Sequence, residues 1–176
     1  MVNTSTTRRD TVDDIVDAWR AELPAAAGPE LELGKRAARL AALLGEATNG
    51  QLSRLGLTRA EYEVLAILRA AGQPYQLRPT DLTSRLLLSS GGTSNLLRRL
   101  TQIGLVEREA DPRDARSSWV RLTVSGIEIA EMAVRAASGA QATLLRSVPE
   151  ATARAAIDAL REVLVALGDE SRTPIR

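Results

Sequence analysis

The amino-acid sequence predicts a mainly α-helical chain that carries one small β-hairpin, and three observations predict it. Apolar residues recur at helical spacing along most of the 176 residues. The period shifts from 3.6 to 2 only once, after Gly104. The core must also be built almost without aromatics, since there is no Phe and aromatic residues make up 2% of the chain. Burial therefore falls to Leu, Ala, Val and Ile, at about 0.8 kcal/mol per CH₂ removed from water. That composition favours helix on helix, where Ala lets axes approach and Leu fills the gaps. The length suits one domain, or one domain with an appended dimerisation element.

Val12, Ile15, Val16 and Trp19 form one helical stripe, with Asp13 and Asp14 in the first turn and a stop at Pro24. A Pro/Ala/Gly stretch from Pro24 to Pro29 leads to a longer helix through Leu33, Arg36, Ala37, Leu40, Leu43, Leu44 and Ala47, ending near Gly56. Thr58 and Glu61 have the spacing of a capping box, and the helix behind them sets Val64, Ile67, Leu68 and Ala71 toward a core before Gly72. Pro79 suits the first position of a short helix. Leu87-Leu88-Ser89-Ser90 then reads as a turn, with Ser90 capping a helix to about Ile103 and Gly104 ending it as a left-handed C-cap. Leu105–Glu109 and Trp119–Leu122 alternate as half-buried strands do, and the polar residues 110–117 read as the loop between them. Thr123 caps a long helix through Ile127, Ala130, Val134 and Ala137 to about Leu145. Ser147 and Glu150 read as a second capping box, opening a last helix striped by Ile157, Leu160, Leu164 and Leu167 and closed by Gly168.

Composition excludes much chemistry. Without Cys there is no disulfide, thiolate nucleophile or cysteine redox sensor. Without His the commonest general base and the commonest transition-metal ligand are gone. No Gly-rich phosphate loop and no evident carboxylate pair is present, so the expectation is a non-enzyme with no cofactor and no metal. No apolar run approaches the roughly 20 residues that span a membrane. The start, MVNTSTTRRD, lacks the apolar stretch of a secretory signal, so a cytoplasmic chain is expected.

Net charge is only +1, but its distribution is uneven. Residues 1–75 carry 9 basic and 10 acidic side chains, residues 76–122 carry 8 and 5, and residues 124–176 carry 6 and 7. The basic excess lies in the middle, where two short helices across a turn precede a two-stranded hairpin with an Arg-rich tip. That order is a winged helix-turn-helix, whose second helix enters the major groove of DNA while the wing reaches toward a minor groove. At about 100° per residue, Leu97, Leu100 and Gly104 cluster on one side of that second helix. Asn95, Arg98 and Gln102 occupy the other, with Ser94 and Arg99 at its margins. Asn and Gln can pair in bidentate fashion with adenine, and Arg with guanine. A solvated face on an ordinary amphipathic helix has the same pattern; the order of elements is what favours DNA.

Residues 58–126 resemble the core of the MarR family. The likeness is carried by LTRAEYEVLAILRAAG, by LRPTDLTSRLLLSSGGTSNLLRRLTQIGLVERE and by DPRDARSSWVRLTVSG, with the wing followed by Leu-Thr-x-x-Gly its most specific part. The resemblance implies a symmetric homodimer whose first and last helices intertwine, and repression from a near-palindromic double-stranded operator. It makes Arg116 the wing-tip arginine in the minor groove, Asp114 the residue that positions it, and Arg113 a neighbour that contacts phosphate. A turn-forming Asp is the plainer reading of Asp114. Members of the family also release DNA when a small aromatic or anionic effector binds.

The extra N-terminal helix with Trp19 resembles the urate-responsive branch. That branch implies a pocket lined by Trp19, by Glu63 at an acidic position usually filled by Asp, and by Arg108. Its second arginine position is Leu96 here, which points to an effector other than urate, because a buried anion needs its charge paired. The plainer reading has Trp19 packing a dimer interface and Glu63 as a solvated helix residue. The expected organisation is a tail over 1–9, dimerisation helices over 10–57, a winged helix-turn-helix over 58–122, dimerisation helices over 123–168 and a tail over 169–176. The alternative function is a winged-helix protein–protein module that does not touch DNA. Repression and activation are not separated by sequence, since the sign depends on operator position.

Overall fold

The computed structural model describes residues 8–86, 90–111 and 114–169, with Ser90, Asp111 and residues 114–117 described by backbone alone. Its elements run α1 (Thr11–Glu22), α2 (Pro29–Arg54), α3 (Arg59–Ala70), β1 (Gln76–Leu77), α4 (Pro79–Leu86), α5 (Ser90–Gln102), β2 (Val106–Asp111), β3 (Asp114–Leu122), α6 (Val124–Leu144) and α7 (Glu150–Ala166). Single 3₁₀ turns sit at Pro24–Ala26 and Leu145–Ser147. The chain divides into two compact units, residues 1–46 and 47–176, with the boundary inside α2. No helix among the described residues is long and apolar enough to cross a membrane.

In the first unit α1 opens on a capping box one residue earlier than the apolar stripe suggests. The Asp10 carboxylate accepts from the backbone N–H of Val12 at 2.8 Å and of Asp13 at 3.1 Å, and Asp13 accepts from the Asp10 N–H at 2.7 Å. Arg36 of α2 then joins Asp10, Asp13 and Glu32 in one ion cluster. Val12 and Val16 are buried, whereas Ile15 and Trp19 stand exposed.

The second unit is organised around a Leu/Val core formed by Leu52, Leu57, Val64, Leu65, Leu68, Leu82, Leu97, Leu100, Leu105, Val106, Val120 and Leu122, with Ala130 and Ala133 from α6. The alanines let α6 lie close against α3. Arg69 of α3 clamps that contact, donating from Nε at 3.0 Å and Nη2 at 2.8 Å to Glu131 of α6, and its guanidinium lies 4.7 Å over the Tyr75 ring.

The hairpin is longer than the sequence pattern indicates. Strand pairing runs from Val106↔Leu122 through Ala110↔Ser118, with an irregular step to Asp111↔Asp114, so most of the expected loop over 110–117 is strand. A third strand, β1, pairs with β3 through Gln76↔Arg121 and Leu77↔Val120, giving the order β1-β3-β2.

The expected capping box at Ser147 and Glu150 does not form. Ser147 is spent in the 3₁₀ turn, Pro149 takes the N-cap with no side-chain hydrogen bond, and Glu150 becomes the first helical residue, facing Arg154 at 3.7 Å.

The Leu-Thr-x-x-Gly stretch after the wing has a definite job. The Thr123 hydroxyl accepts from the Gly126 N–H at 3.0 Å and donates to the Gly104 carbonyl at 2.7 Å, while the Thr123 N–H donates to the Leu105 carbonyl at 3.2 Å. Gly104, at φ +73°, ends α5 and lets the Leu105 N–H return to the Leu100 carbonyl at 3.0 Å. One threonine thus ties the end of the wing to the end of α5.

Candidate nucleic-acid interface

Helix α5 is pinned from beneath and open above. Leu97 and Leu100 are buried in the core and Thr93 is buried beside them, with Leu82 of α4 part of the same cluster. Ser94, Asn95, Arg98, Arg99 and Gln102 are all exposed, so the structure places the five expected α5 residues along one accessible surface. Arg98 donates from Nη2 to the Asn95 side-chain oxygen at 2.8 Å. An amide and a guanidinium side by side on an exposed face can be turned toward base edges, where each forms two hydrogen bonds.

Arg108 lies beside this surface. It stands opposite Val120 in the β2–β3 register, hence on the face of the hairpin that Val106 and Val120 turn to the core. It is exposed, and with Ser94, Arg98, Thr101 and Gln102 it lines a concavity of about 480 Å³ between α5 and the wing. The opposite face of the hairpin carries acids. There Arg121 donates to Glu107 at 2.8 and 3.0 Å and lies 3.4 Å from Glu109; the Glu107 hydrogen bond first, and the Glu109 charge after it, raise the arginine above its ordinary pKa. Arg78 sits 4.9 Å over the Trp119 ring, which shares that face of the sheet.

On its other flank α5 meets the start of α3. Glu61 is fully buried, and its Oε2 accepts from the Thr58 N–H at 2.7 Å and the Thr58 hydroxyl at 2.8 Å. Its Oε1 accepts from Arg99 Nε. Burial alone would push the carboxyl up; the Thr58 donors and the Arg99 guanidinium outweigh it and hold the pKa below the ordinary glutamate value. The sequence identifies Glu61 as a capping residue but not as the partner of Arg99, because a contact 38 residues distant leaves no periodic trace.

The remaining expected residues lie on other elements. Asp114 and Arg116 belong to β3, whose backbone is described there, and Arg113 lies outside the described residues. Glu63 is paired with Arg59 on its own helix at 2.8 Å, and no hydrogen bond or ion pair joins it to Arg108. Leu96 is half-buried and packs against the core, while Trp19 is exposed on α1 in the other unit. Among the described residues no group of three or more Asp, Glu, His or Cys gathers as a metal site.

Comparison with known proteins agrees with this geometry. Residues 55–117 match the model described as MarR family. The chain is 32% identical over 119 residues to the HTH-type transcriptional regulator PecS of Dickeya dadantii, covering 67% of this chain and 71% of that protein. It is 36% identical over 83 residues to the multiple antibiotic resistance protein MarR of Escherichia coli, covering 47% of this chain and 56% of the other. Among solved structures it superposes on a mutant E. coli MarR complexed with operator DNA with a TM-score of 0.68 and 25% identity, over 83% of this chain and 97% of that one. The Staphylococcus aureus MepR–DNA complex, 23% identical, shares the fold with a TM-score of 0.67 over 76% and 96% of the two chains.

Proposed function

The chain belongs to the MarR family, and from that premise we propose that it is a homodimeric, sequence-specific DNA-binding transcriptional regulator. In this reading it represses from a near-palindromic operator and lets go when a small molecule binds. The observation that carries the reading is α5 itself: Leu97 and Leu100 fix its underside, leaving Ser94, Asn95, Arg98 and Gln102 along one open face beside Arg108. Asn95, Arg98 and Gln102 read bases, Arg116, positioned by Asp114, enters the adjacent minor groove, and Arg113 beside them contacts phosphate. The functional division follows as 58–122 for DNA and 10–57 with 123–168 for dimerisation, in a cytoplasmic protein.

Pairing of two copies is supported by apolar residues that no described residue of this chain covers. Helix α7 buries no residue, and Ile157, Leu160, Leu164 and Leu167 are exposed along it. An effector finds support in relatives by fold alone: one solved structure is of CouR bound to p-coumaroyl-CoA, and another concerns control of BpsR by 6-hydroxynicotinic acid. For this chain the candidate effector residues are Trp19, Glu63 and Arg108, and the effector is aromatic or only weakly anionic because Leu96 supplies no charge.

A salt titration of binding to the DNA upstream of the gene tests the reading. Log affinity should fall against log salt with a slope of about −0.9 for each phosphate neutralised. A flat response would point instead to a protein–protein module.

A further inference from the structure

We propose that Glu61 is a positioning residue for DNA contact: from the first turn of α3 it holds Arg99 by Nε and so turns the two terminal nitrogens of that guanidinium outward, as a fixed donor pair for a backbone phosphate. The inference rests on the reading that α5 faces DNA.

A capping box does not require this arrangement. Glu61 Oε2 alone serves both the N–H and the hydroxyl of Thr58. Helix starts are commonly wet, yet Glu61 is 0% exposed and its second oxygen is reserved for a residue of α5. A buried carboxylate is retained only with a charge partner and satisfied lone pairs, and Arg99 supplies both. The Arg99 side chain nevertheless stays 58% exposed. Its Nε points inward and its terminal nitrogens have no partner among the described residues. Arg99 lies about 40° around the helix from Asn95 at about 100° per residue, at the edge of the base-reading face. That is where a phosphate contact fixes register while neighbouring side chains read sequence. Planar donors held at one nitrogen keep the fork that phosphate accepts.

The charge argument and the positioning argument predict opposite signs. Glu61 brings a negative charge to a DNA-facing surface, so by attraction alone its removal strengthens binding. If its role is to aim Arg99, removal weakens binding. Glu61→Gln separates them, because the amide oxygen can still accept from Thr58 while its NH₂ meets the Arg99 Nε–H as donor against donor.

The probes are a duplex enriched by the wild-type protein from a randomised library and a scrambled duplex of the same length. Affinity is measured by fluorescence anisotropy and corrected for the folded fraction from circular dichroism. We expect Glu61→Gln to bind both duplexes about tenfold more weakly, on the scale of one charge-assisted contact. Its salt slope should be unchanged, because the freed Arg99 keeps its charge. Arg99→Ala should be similarly weak with a slope smaller by about 1, and the double variant should bind no worse than Arg99→Ala. Wild-type or tighter binding by Glu61→Gln, or additive losses in the double variant, would overturn the proposal. Arg99→Lys serves if Glu61→Gln does not fold: it keeps the ion pair but not the fork, so wild-type affinity in that variant would equally overturn it. Wild-type protein that enriches no duplex would refute the DNA reading itself, before any variant is made.

Discussion

Gly126→Ala should unfold the junction between α5, the wing and α6, and the size of the effect can be worked from local geometry. An ideal Cβ at residue 126 would lie 1.9 Å from the Leu105 carbonyl oxygen and 2.9 Å from its carbon. A carbon–oxygen approach is comfortable at about 3.3 Å or more, so backbone has to yield, not a side-chain tip. The oxygen in the way accepts from the Thr123 N–H at 3.2 Å, and the same threonine accepts from the Gly126 N–H at 3.0 Å and donates to the Gly104 carbonyl at 2.7 Å. Separating the two segments sacrifices the two hydrogen bonds between them, about 1 kcal/mol each, and the overpacking strain that remains adds about 1 kcal/mol. The expected loss is therefore about 3 kcal/mol, at the upper end of ordinary overpacking. For a chain of this size that is a fall of about 6–12 °C in Tm, read by circular dichroism at fixed protomer concentration. Gly50→Ala in the same experiment should raise stability by about 0.5–1 kcal/mol, since nothing lies within 4 Å of that added methyl inside α2. A Gly126→Ala loss below about 0.5 kcal/mol, the scale of neutral surface changes, would refute the argument that this close approach dictates glycine.

Asn95→Ala and Arg98→Ala should each lose about 1–3 kcal/mol of discrimination at particular base pairs, visible as relaxed sequence preference in library selection and not as a uniform weakening. Leu164→Glu on the uncovered face of α7 should shift the chain from dimer to monomer in sedimentation, with operator binding falling alongside; an unchanged dimer would place the interface elsewhere. The pH profile of stability should carry the mark of Glu61, whose pKa is lowered in the folded chain. Its contribution is fully present above the unfolded glutamate value of about 4.3 and is lost as pH falls through the lower folded value. Urea titrations in that acid window should accordingly show a shallower decline for Glu61→Gln than for wild type.

The fold is legible in the sequence wherever one face meets the core. The stripe at Val64 and Leu68, the pair Leu97 and Leu100, and the stop at Gly104 all announce themselves, because each is dictated by burial or by positive φ. What the sequence hides is structure held by pairing without burial. Strand β1 is two residues long, too short for any period, and exists because Gln76 and Leu77 meet Arg121 and Val120 across the sheet. The stretch over 110–117 reads as loop because it is mostly polar and holds a proline, while Ala110 and Asp111 continue the ladder with Ser118 and Asp114. At Ser147 the local rule fails because Pro149 already occupies the cap. The α5 face is readable for the same reason as the core, being its complement at helical spacing; the clamp from Glu61 to Arg99 is not, because only the fold makes those residues neighbours.

That allocation of charge explains how a chain of net charge +1 can offer DNA a basic surface. Between residues 76 and 122 five of the described arginines fall into two groups, with Arg85 of α4 exposed outside them. Arg99 and Arg121 are held by Glu61 and by Glu107 with Glu109, and Arg78 lies over Trp119. Arg98 and Arg108 have no acidic partner among the described residues and line one concavity beside the exposed amides and hydroxyls of α5. Glu107 and Glu109 stand on the other face of the hairpin, Glu107 in register with Arg121. Two guanidiniums lining one mouth give it a local positive potential that favours an incoming anion. At a Debye length of about 8 Å in physiological salt, local arrangement outweighs total charge, so the cation distribution on α5 and β2, not the pI, is the quantity that bears on nucleic-acid binding.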